Sequence, residues 1–259
     1  MEEHGNYRIR FVEKMRRGGF GYVEKVEIFN HSGVKCGNYA RKIFSPRDGV
    51  DKEEFKRRFR REVIYQAKCV HTNIVPIYLH NLYGDNPWFI MDLAESDLSS
   101  EVASGTLSLE NKVKIIDQIL SGVNYLHQDV TQGRKDGVYL HRDLKPSNIL
   151  KFNHGIYKIS DFGLVKNIDS EQESEVLTQV ATAMGTKKYM APEVTSAGLY
   201  SFQSDIFALG VIIDEMDMKD INGIKQLIEK CTSWKPSSRY KSVAEMIDIL
   251  EGLKIRNGL

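Results

Sequence analysis

The segment of residues 141–148 constrains this chain most, because it reads His-Arg-Asp-Leu-Lys-Pro-Ser-Asn and is followed, thirteen residues after its asparagine, by Asp161-Phe162-Gly163. Phosphoryl transfer needs little covalent chemistry from a protein. It requires a carboxylate that orients the attacking hydroxyl, a nearby cation and oxygen ligands for magnesium. The two short segments supply side chains of all these kinds: Asp143, Lys145, Asn148 and Asp161.

The eight-residue run closely resembles the catalytic loop H-R-D-L-K-P-x-N of the eukaryotic-type (Hanks-type) protein kinases, and Asp161-Phe162-Gly163 resembles their metal-binding motif. An Asp-Phe-Gly triplet alone would be weak evidence for this family, because short triplets recur by chance. Both motifs in this order and at this spacing are strong evidence. The resemblance implies that Asp143 is the base that positions the substrate hydroxyl and that Lys145 neutralises charge on the transferred phosphoryl. It also implies that Asn148 and Asp161 ligate Mg²⁺.

A glycine-rich segment lies between two strand-like segments near the start of the chain. Backbone N–H groups approach phosphates closely only where side chains are absent, so such loops suit nucleotides. The segment matches the latter part of the kinase loop G-x-G-x-F-G-x-V, but an arginine occupies the position of the first glycine and adds a cation. The match implies these nucleotide-binding residues: Arg16, Arg17, Gly18, Gly19, Phe20, Gly21 and Val23. Read by itself, the segment is equally consistent with a plain hairpin turn.

The next strand carries Ala40-Arg41-Lys42, which resembles the A-x-K motif whose lysine binds the α- and β-phosphates of ATP. Glu62, in the following predicted helix, matches the glutamate that pairs with this lysine. The resemblance further assigns Ala40, Met91, Asp92, Ala94 and Leu150 to the adenine pocket. In that assignment Met91 guards the back of the pocket, Asp92 and Ala94 offer backbone contacts and Leu150 forms the floor. Core packing is the alternative for Met91 and Leu150, and both roles are compatible.

The segment between Asp161 and Ala191-Pro192-Glu193 is polar and matches the activation segment of the family. Gly185-Thr186 matches a family motif whose threonine, Thr186 here, contacts the catalytic aspartate, and Thr182 lies where many kinases carry an activating phosphothreonine. Since phosphate pairs with arginine, we hypothesise that phosphorylation of Thr182 orders this segment through Arg142. An ordinary polar loop is the alternative. The lysine at position 145 follows the serine/threonine class rather than the tyrosine kinases.

Strand-like segments come first and helices later, which predicts an α+β chain with the bilobal protein-kinase-like fold, a β-rich N-lobe and an α-helical C-lobe. We expect one kinase domain over residues 1–259, with the N-lobe at about 7–91, a hinge at about 92–97 and the C-lobe at about 98–254. Strands are predicted at 7–14, 22–30, 38–44, 74–82 and 88–93, and helices at 51–69, 108–127, 206–216, 224–232 and 242–253. In the first helix, four-residue steps place Phe55, Phe59, Val63 and Ala67 on one buried face.

Several positions outside the main motifs extend or limit the resemblance. Asp205 and Gly210 match a buried central helix whose aspartate braces the catalytic loop, and Arg239 matches the arginine that pairs with Glu193. After that helix the chain is shortened, because the family normally places a substrate-docking helix there; substrate choice therefore stays open. Residues 132–137 resemble an exposed insertion. Gln66 places a polar group where the family usually stacks an apolar one.

Composition limits the remaining classes of function. The formal net charge is +1, which argues against a nucleic-acid partner. Three cysteines are scattered without metal-ligand spacing, which favours reduced thiols in the cytoplasm. No apolar run reaches the length of a membrane span. A basic run, residues 56–58 and 60–61, is predicted to be a solvated helix face. We expect ATP, Mg²⁺ and a protein substrate with a serine or threonine acceptor; the oligomeric state is open. A nucleotide-binding scaffold without turnover, and a tyrosine or dual-specificity kinase, are the alternatives.

Overall fold

The computed structural model describes residues 1–18, 21–46, 51–128, 138–162, 166–167 and 187–259. The predicted insertion at 132–137 lies outside the described residues, as do six residues singled out above: Gly19, Phe20, Gly163, Thr182, Gly185 and Thr186. The chain divides into two compact units, which we call the first unit (residues 1–70 and 75–94) and the second unit (residues 71–74 and 95–259). The extent of the domain, residues 1–259, stays a prediction.

The first unit contains an antiparallel sheet in which the strands have the order β1-β2-β3-β4-β6-β5. Its strands are β1 (Glu2–His4), β2 (Tyr7–Arg17), β3 (Gly21–Asn30), β4 (Lys35–Phe44), β5 (Ile77–Asn81) and β6 (Trp88–Asp92). The five predicted strands are confirmed. β1 was not predicted, because its three residues are polar and only its pairing with β2 defines it.

The strand register assigns side chains to the two faces of this sheet. Val23, Lys42 and Phe89 lie opposite one another across β3, β4 and β6. Because successive side chains alternate between faces, their neighbours point the other way. That second face forms an apolar core from Ile9, Val26, Ile28, Ile43, Trp88 and Ile90.

Helix α1 (Lys52–Lys68) begins after Asp51, whose carboxylate accepts the backbone N–H groups of Glu53 and Glu54. The ring of Phe59 in this helix lies 5.7 Å from that of Phe44 and 5.6 Å from that of Phe89, on the sheet face of Lys42. The helix therefore covers the face that carries Lys42.

Two predictions about α1 are wrong in part. Ala67 is exposed, because a four-residue step overshoots one turn by about 40° and the buried face drifts toward Glu62 and Gln66. The basic run is not a uniformly solvated face, since Lys56 and Arg58 are buried, Arg58 at only 1% exposure. The Arg58 guanidinium is buried because it pairs with Glu54 at 2.9 Å, one turn earlier, and lies 5.4 Å from the centre of the Phe55 ring.

The second unit contains six helices and five short strands within the described residues. In chain order they are β7 (Ser96–Asp97), α2 (Leu98–Ser104), α3 (Leu109–His127), β8 (Tyr139–Leu140), β9 (Ile149–Phe152), β10 (Ile156–Ile159), β11 (Lys166–Asn167), α4 (Pro192–Ala197), α5 (Phe202–Glu215), α6 (Ile224–Cys231) and α7 (Val243–Asn257). The four helices predicted for this region are confirmed, and α2 and α4 were not predicted. None of the helices in the described ranges combines the length and the apolar character that a membrane span requires.

Helix α3 carries the predicted apolar stripe, all of it buried: Val113, Ile116, Ile119, Leu120, Val123 and Leu126. Helix α5 is buried along much of its length, and its Gly210 packs so closely on α6 that a Cβ there would lie 2.5 Å from the Cβ of Cys231. Only residues 216–223 connect α5 to α6, so the shortened region after the central helix is confirmed. The architecture is the bilobal α+β fold that the motifs predicted.

Candidate functional site

The loop at His141 is fixed through its backbone by a buried carboxylate. The N–H of His141 donates to Oδ2 of Asp205 at 2.8 Å, and the N–H of Arg142 donates to Oδ1 at 2.9 Å. Nε2 of His127 lies 2.9 Å from the same Oδ2. Burial alone raises the pKa of Asp205, but the hydrogen bond from His127 and the backbone donors outweigh burial and lower it. The predicted bracing of this loop by Asp205 is confirmed.

His141 is part of the buried support beneath the loop. Its Nε2 lies 3.2 Å from the carbonyl oxygen of Ser160, and its Nδ1 accepts the N–H of Asp143 at 3.4 Å. These contacts require the tautomer with hydrogen on Nε2, and burial lowers the pKa of His141, which favours this neutral form. The ring also meets the edge of Phe162 at a centroid distance of 5.4 Å. His141 therefore orients the loop rather than offering a charge.

Two of the predicted site residues of the second unit, Lys145 and Asn148, converge on the carboxylate of a third, Asp143. Nζ of Lys145 lies 2.7 Å from Oδ2 of Asp143, and Nδ2 of Asn148 donates to the same oxygen at 3.0 Å. Nδ2 of Asn148 also donates to the backbone carbonyl of Asp143 at 2.9 Å. A 3₁₀ turn, Pro146–Asn148, brings the asparagine back to the aspartate. The proline fixes the backbone at the start of that turn.

The two oxygens of the Asp143 carboxylate are in different situations. Oδ2 accepts from Lys145 and Asn148, whereas Oδ1 is buried and has no hydrogen-bond partner among the described residues. Burial raises the pKa of Asp143; Lys145 opposes that rise, and the charge of Asp161 adds to it. Oδ1 is therefore the atom suited to accept a hydrogen bond from an incoming hydroxyl.

The predicted metal ligands offer the chemistry that magnesium prefers. Asn148 uses its amide nitrogen on Asp143, which leaves its carbonyl oxygen Oδ1 for a cation, and Asp161 provides a carboxylate. In the described parts of the chain, no group of three or more His, Cys, Asp or Glu side chains is arranged to bind a metal. Mg²⁺ commonly takes only one or two carboxylate or carbonyl ligands from the protein and the rest from phosphates and water, so this pair fits it.

The first unit brings together the other predicted pair. Nζ of Lys42 on β4 lies 2.5 Å from Oε1 of Glu62 on α1, with the two side chains 13% and 1% exposed. Gln66, one turn further along the helix, donates from Nε2 to the carbonyl oxygen of Val75 at 2.8 Å. The polar group that departs from the family pattern thus finds a backbone partner.

The remaining predicted nucleotide residues of the first unit occupy the same sheet. Arg16 lies opposite Val23, and Ala40 lies opposite Met91, which is buried. The turn between β2 and β3 closes with a hydrogen bond of 2.7 Å from the N–H of Gly18 to the carbonyl of Gly21. A Cβ at position 21 would collide with the carbonyl oxygen of Ile43, so this glycine is also required by the packing of the hairpin. The structure thus supports the hairpin reading, and the nucleotide-binding role of this segment stays a prediction.

The other predicted positions are distributed over both units. The Asp92 side chain accepts the Tyr78 hydroxyl at 2.7 Å, and Ala94 is the last residue of the first unit. Arg17 donates to the backbone carbonyl of Ser45 at 3.2 Å. Leu150 belongs to β9 in the second unit and is half-buried. The role of each of these residues toward a nucleotide stays a prediction.

Two further features frame the site of the second unit. The predicted pair of Arg239 and Glu193 is confirmed, with two parallel hydrogen bonds of 2.7 and 2.8 Å. His127, the third partner of Asp205, was missed. Its signal in the sequence was weak, because a histidine at the end of a helix is ordinarily explained by the helix dipole.

Comparison with known proteins gives consistent results. Residues 9–222 match the family model described as "Protein kinase domain". Similar curated proteins include cysteine-rich receptor-like protein kinase 24 of Arabidopsis thaliana, 33% identical over 210 residues, which are 79% of this chain and 30% of the relative. Serine/threonine-protein kinase PrkC of Bacillus subtilis (strain 168) is 33% identical over 171 residues, 65% of this chain and 24% of the relative. This chain spans about a quarter to a third of the length of these relatives.

Proposed function

The chain belongs to the protein kinase family, and from that premise we propose that it is a serine/threonine kinase that transfers the γ-phosphate of ATP to a hydroxyl group of a protein. The observation that carries the proposal is the convergence of Lys145 and Asn148 on one oxygen of Asp143, while the other oxygen has no partner among the described residues. Relatives named as serine/threonine kinases support the choice of acceptor.

In this proposal each side chain of the second unit has a separate task. Asp143 orients the acceptor hydroxyl through Oδ1 and accepts its proton, which the raised pKa of the buried carboxyl favours over an ordinary aspartate. Lys145 lies within 2.7 Å of that carboxylate and places a positive charge beside the phosphoryl group in transfer. Asn148 keeps Asp143 in position through two hydrogen bonds.

The proposed cofactors are ATP and Mg²⁺. The oxygen ligands of Asn148 and Asp161 would hold the cation, which neutralises charge on the phosphates when bound. Lys42 would contact the α- and β-phosphates, and its ion pair with Glu62 directs its ammonium group. The hinge residues Asp92 and Ala94, together with Met91 and Leu150, would contact the adenine.

The proposal also covers the regulation of the kinase, its substrate and its location in the cell. We propose that the kinase phosphorylates itself at Thr182 and that the phosphate pairs with Arg142, whose backbone is fixed by Asp205. The protein substrate has a serine or threonine acceptor. A cytoplasmic location and the absence of a membrane or nucleic-acid partner stay predictions from the sequence.

The test is incubation of the purified wild-type chain and Asp143→Asn with labelled ATP and Mg²⁺, followed by mapping of phosphorylated residues by mass spectrometry. Asp117→Asn is the matched control, because this aspartate on α3 forms a partly exposed ion pair with Lys254. We expect phosphoserine or phosphothreonine in the wild type and the control. We expect incorporation to fall by about 10²–10⁴-fold in Asp143→Asn.

The possible outcomes separate the alternatives. Phosphotyrosine would contradict the proposed specificity and favour the tyrosine or dual-specificity alternative. ATP binding without phosphate incorporation in the wild type, even after treatment with an upstream kinase, would favour the scaffold. Equal incorporation in wild type and Asp143→Asn would contradict the role of Asp143.

A further inference from the structure

The first unit has a concavity of about 360 Å³ on the face of the sheet that does not carry Lys42. Tyr22, Ile43 and Trp88 lie opposite one another across β3, β4 and β6, so they share one face and form part of the lining. Lys42 follows Arg41 and precedes Ile43 on β4, and therefore points to the other face. The concavity is separate from the residues to which the resemblance assigns a nucleotide.

A buried arginine with two carboxylates forms the polar wall of this concavity. Nε of Arg41 donates to Oε1 of Glu24 at 2.7 Å, and Nη1 of Arg41 donates to Oε2 of Glu2. The side chains of Arg41 and Glu24 are 10% and 4% exposed, whereas that of Glu2 is 47% exposed. Glu24 alone neutralises the arginine. Glu2 therefore adds a second carboxylate, which is not needed to neutralise the positive charge of Arg41.

The contact of Glu2 depends on a weakly attached strand. β1 has three residues, pairs in the sheet with the beginning of β2 and contacts Trp88 through the ring of His4, at a centroid distance of 4.8 Å. A short strand with few backbone hydrogen bonds separates from its sheet at low free-energy cost. The side chain of Glu2 thus occupies Nη1 of Arg41 as an internal ligand. This contact shows that Nη1 binds a carboxylate.

The rest of the concavity combines the half-buried ring of Tyr22 with Trp88 and Ile43, which are 5% and 8% exposed, and with a positive rim. The guanidinium of Arg41 lies 5.5 Å from the centre of the Trp88 ring, which Tyr22 and Ile43 flank. Nζ of Lys14, an exposed residue, lies 4.9 Å from the centre of the Tyr22 ring and bears a positive charge. Exposed cations at the rim attract anions in solution.

We propose that this concavity is a binding site for a small aromatic carboxylate. The carboxylate of the ligand replaces Glu2 on Nη1 of Arg41, and its ring packs against Trp88, Tyr22 and Ile43. The volume lies within the roughly 300–1,000 Å³ of small-molecule sites, and a few convergent polar groups on an apolar wall are typical of them. A charge-assisted hydrogen bond from Nη1 of the arginine gives the selectivity for a carboxylate over a neutral group.

The test uses indole-3-acetate as the probe and its neutral analogue indole-3-ethanol as the reference compound, added to the full chain. The chain has two tryptophans, so the indole N–H signals in an NMR spectrum distinguish Trp88 from Trp234, which is 77% exposed. We expect indole-3-acetate to shift the Trp88 signal and to leave that of Trp234 unchanged, and the neutral analogue to bind more weakly.

Glu2→Gln sharpens the test, because it removes the competing carboxylate without changing the lining. We expect it to tighten binding of indole-3-acetate by about tenfold, the effect of one charge-assisted hydrogen bond that is no longer contested. Glu3→Gln, on the next residue of β1 and exposed, should bind like the wild type. The proposal is overturned if Trp88 does not respond in Glu2→Gln, if both tryptophans respond equally, or if Glu2→Gln and Glu3→Gln bind alike.

Discussion

The two units of this member of the protein kinase family fix their candidate catalytic groups in different ways. In the second unit, the buried carboxylate of Asp205 fixes the backbone of the catalytic loop through the N–H groups of His141 and Arg142. In the first unit, a contact between side chains, from Lys42 on β4 to Glu62 on α1, brings the charged groups together. Several hydrogen bonds to the backbone hold a loop in one arrangement, whereas an ion pair between side chains can break without unfolding either element.

This difference suggests where stability and activity are coupled. Removing a group that supports the loop backbone should lower both the free energy of unfolding and the rate of phosphoryl transfer. Removing a partner of the ion pair should lower the rate with a smaller effect on stability. Variants of matched chemistry in the two units can therefore test the comparison directly.

The largest effect is expected for Asp205→Asn. Three donors converge on the Asp205 carboxylate, so the amide NH₂ would face a donor in either orientation. We expect the free energy of unfolding to fall by about 3–5 kcal/mol, measured by urea denaturation, with loss of most activity. Asp117→Asn, which breaks a partly exposed pair with Lys254, should cost less than about 1 kcal/mol.

The pH dependence of this variant follows from the lowered pKa of Asp205. A carboxyl whose folded-state pKa lies below its ordinary value stabilises the fold above the ordinary pKa, and this stabilisation is lost as the pH falls through the folded-state value. The difference in stability between the wild type and Asp205→Asn should therefore shrink at acidic pH. A difference that stays constant would contradict the electrostatic part of this account.

The second effect is expected for Glu62→Gln, which keeps the shape of the side chain and removes its charge. We expect kcat/KM to fall by about 100-fold, because Lys42 is no longer directed by an opposite charge. The free energy of unfolding should fall by about 1 kcal/mol, since a glutamine oxygen still accepts a hydrogen bond. Glu53→Gln, exposed in the first turn of α1, is the control. A loss of stability equal to that of Asp205→Asn would break the comparison.

The same contrast describes what the sequence could predict. Short motifs with fixed spacing identified Asp143, Lys145 and Asn148, and the register of α3 followed from its apolar stripe. Contacts between residues far apart in the sequence were also predicted where both residues belong to family motifs. Examples are those of Asp205 with the loop at His141 and of Arg239 with Glu193. The helices α2 and α4 were missed because seven and six residues are too few for a helical period to emerge.

Features created by strand register escaped prediction. Glu24 and Arg41 lie on different strands, and only the pairing of β3 with β4 places them opposite each other. The burial of Arg58 was also missed, because a run of five basic residues in six positions reads as a solvated face. Its pair with Glu54 and its contact with Phe55 follow the four- and three-residue spacing of a helix, which the composition of the run by itself does not indicate.

A third, smaller effect is expected in the pH profile of Lys145→Gln. Catalysis requires the carboxylate form of Asp143, and burial raises the pKa of this group, so activity should fall with decreasing pH earlier than for an ordinary aspartate. Lys145 opposes that rise. Its removal should therefore move the acidic limb of kcat/KM to higher pH, besides lowering the rate. Lys114→Gln, an exposed change on α3, should leave the limb in place; an unmoved limb in Lys145→Gln would contradict the coupling.

The smallest effect is expected for Gln66→Leu, which tests whether the polar departure on α1 weakens the first unit. Nε2 of Gln66 donates to the carbonyl of Val75, but its Oε1 is buried without a partner among the described residues. The substitution removes one stabilising hydrogen bond and one destabilising unsatisfied oxygen. These two contributions to the free energy of unfolding are of similar size and opposite sign, so we expect it to change by less than about 1 kcal/mol. Gln66→Glu keeps the shape but buries a charge, and should destabilise by more than about 2 kcal/mol. If Gln66→Leu were as destabilising as Gln66→Glu, the bond to Val75 would be a backbone anchor of α1. The first unit would then resemble the second in how it fixes its catalytic groups.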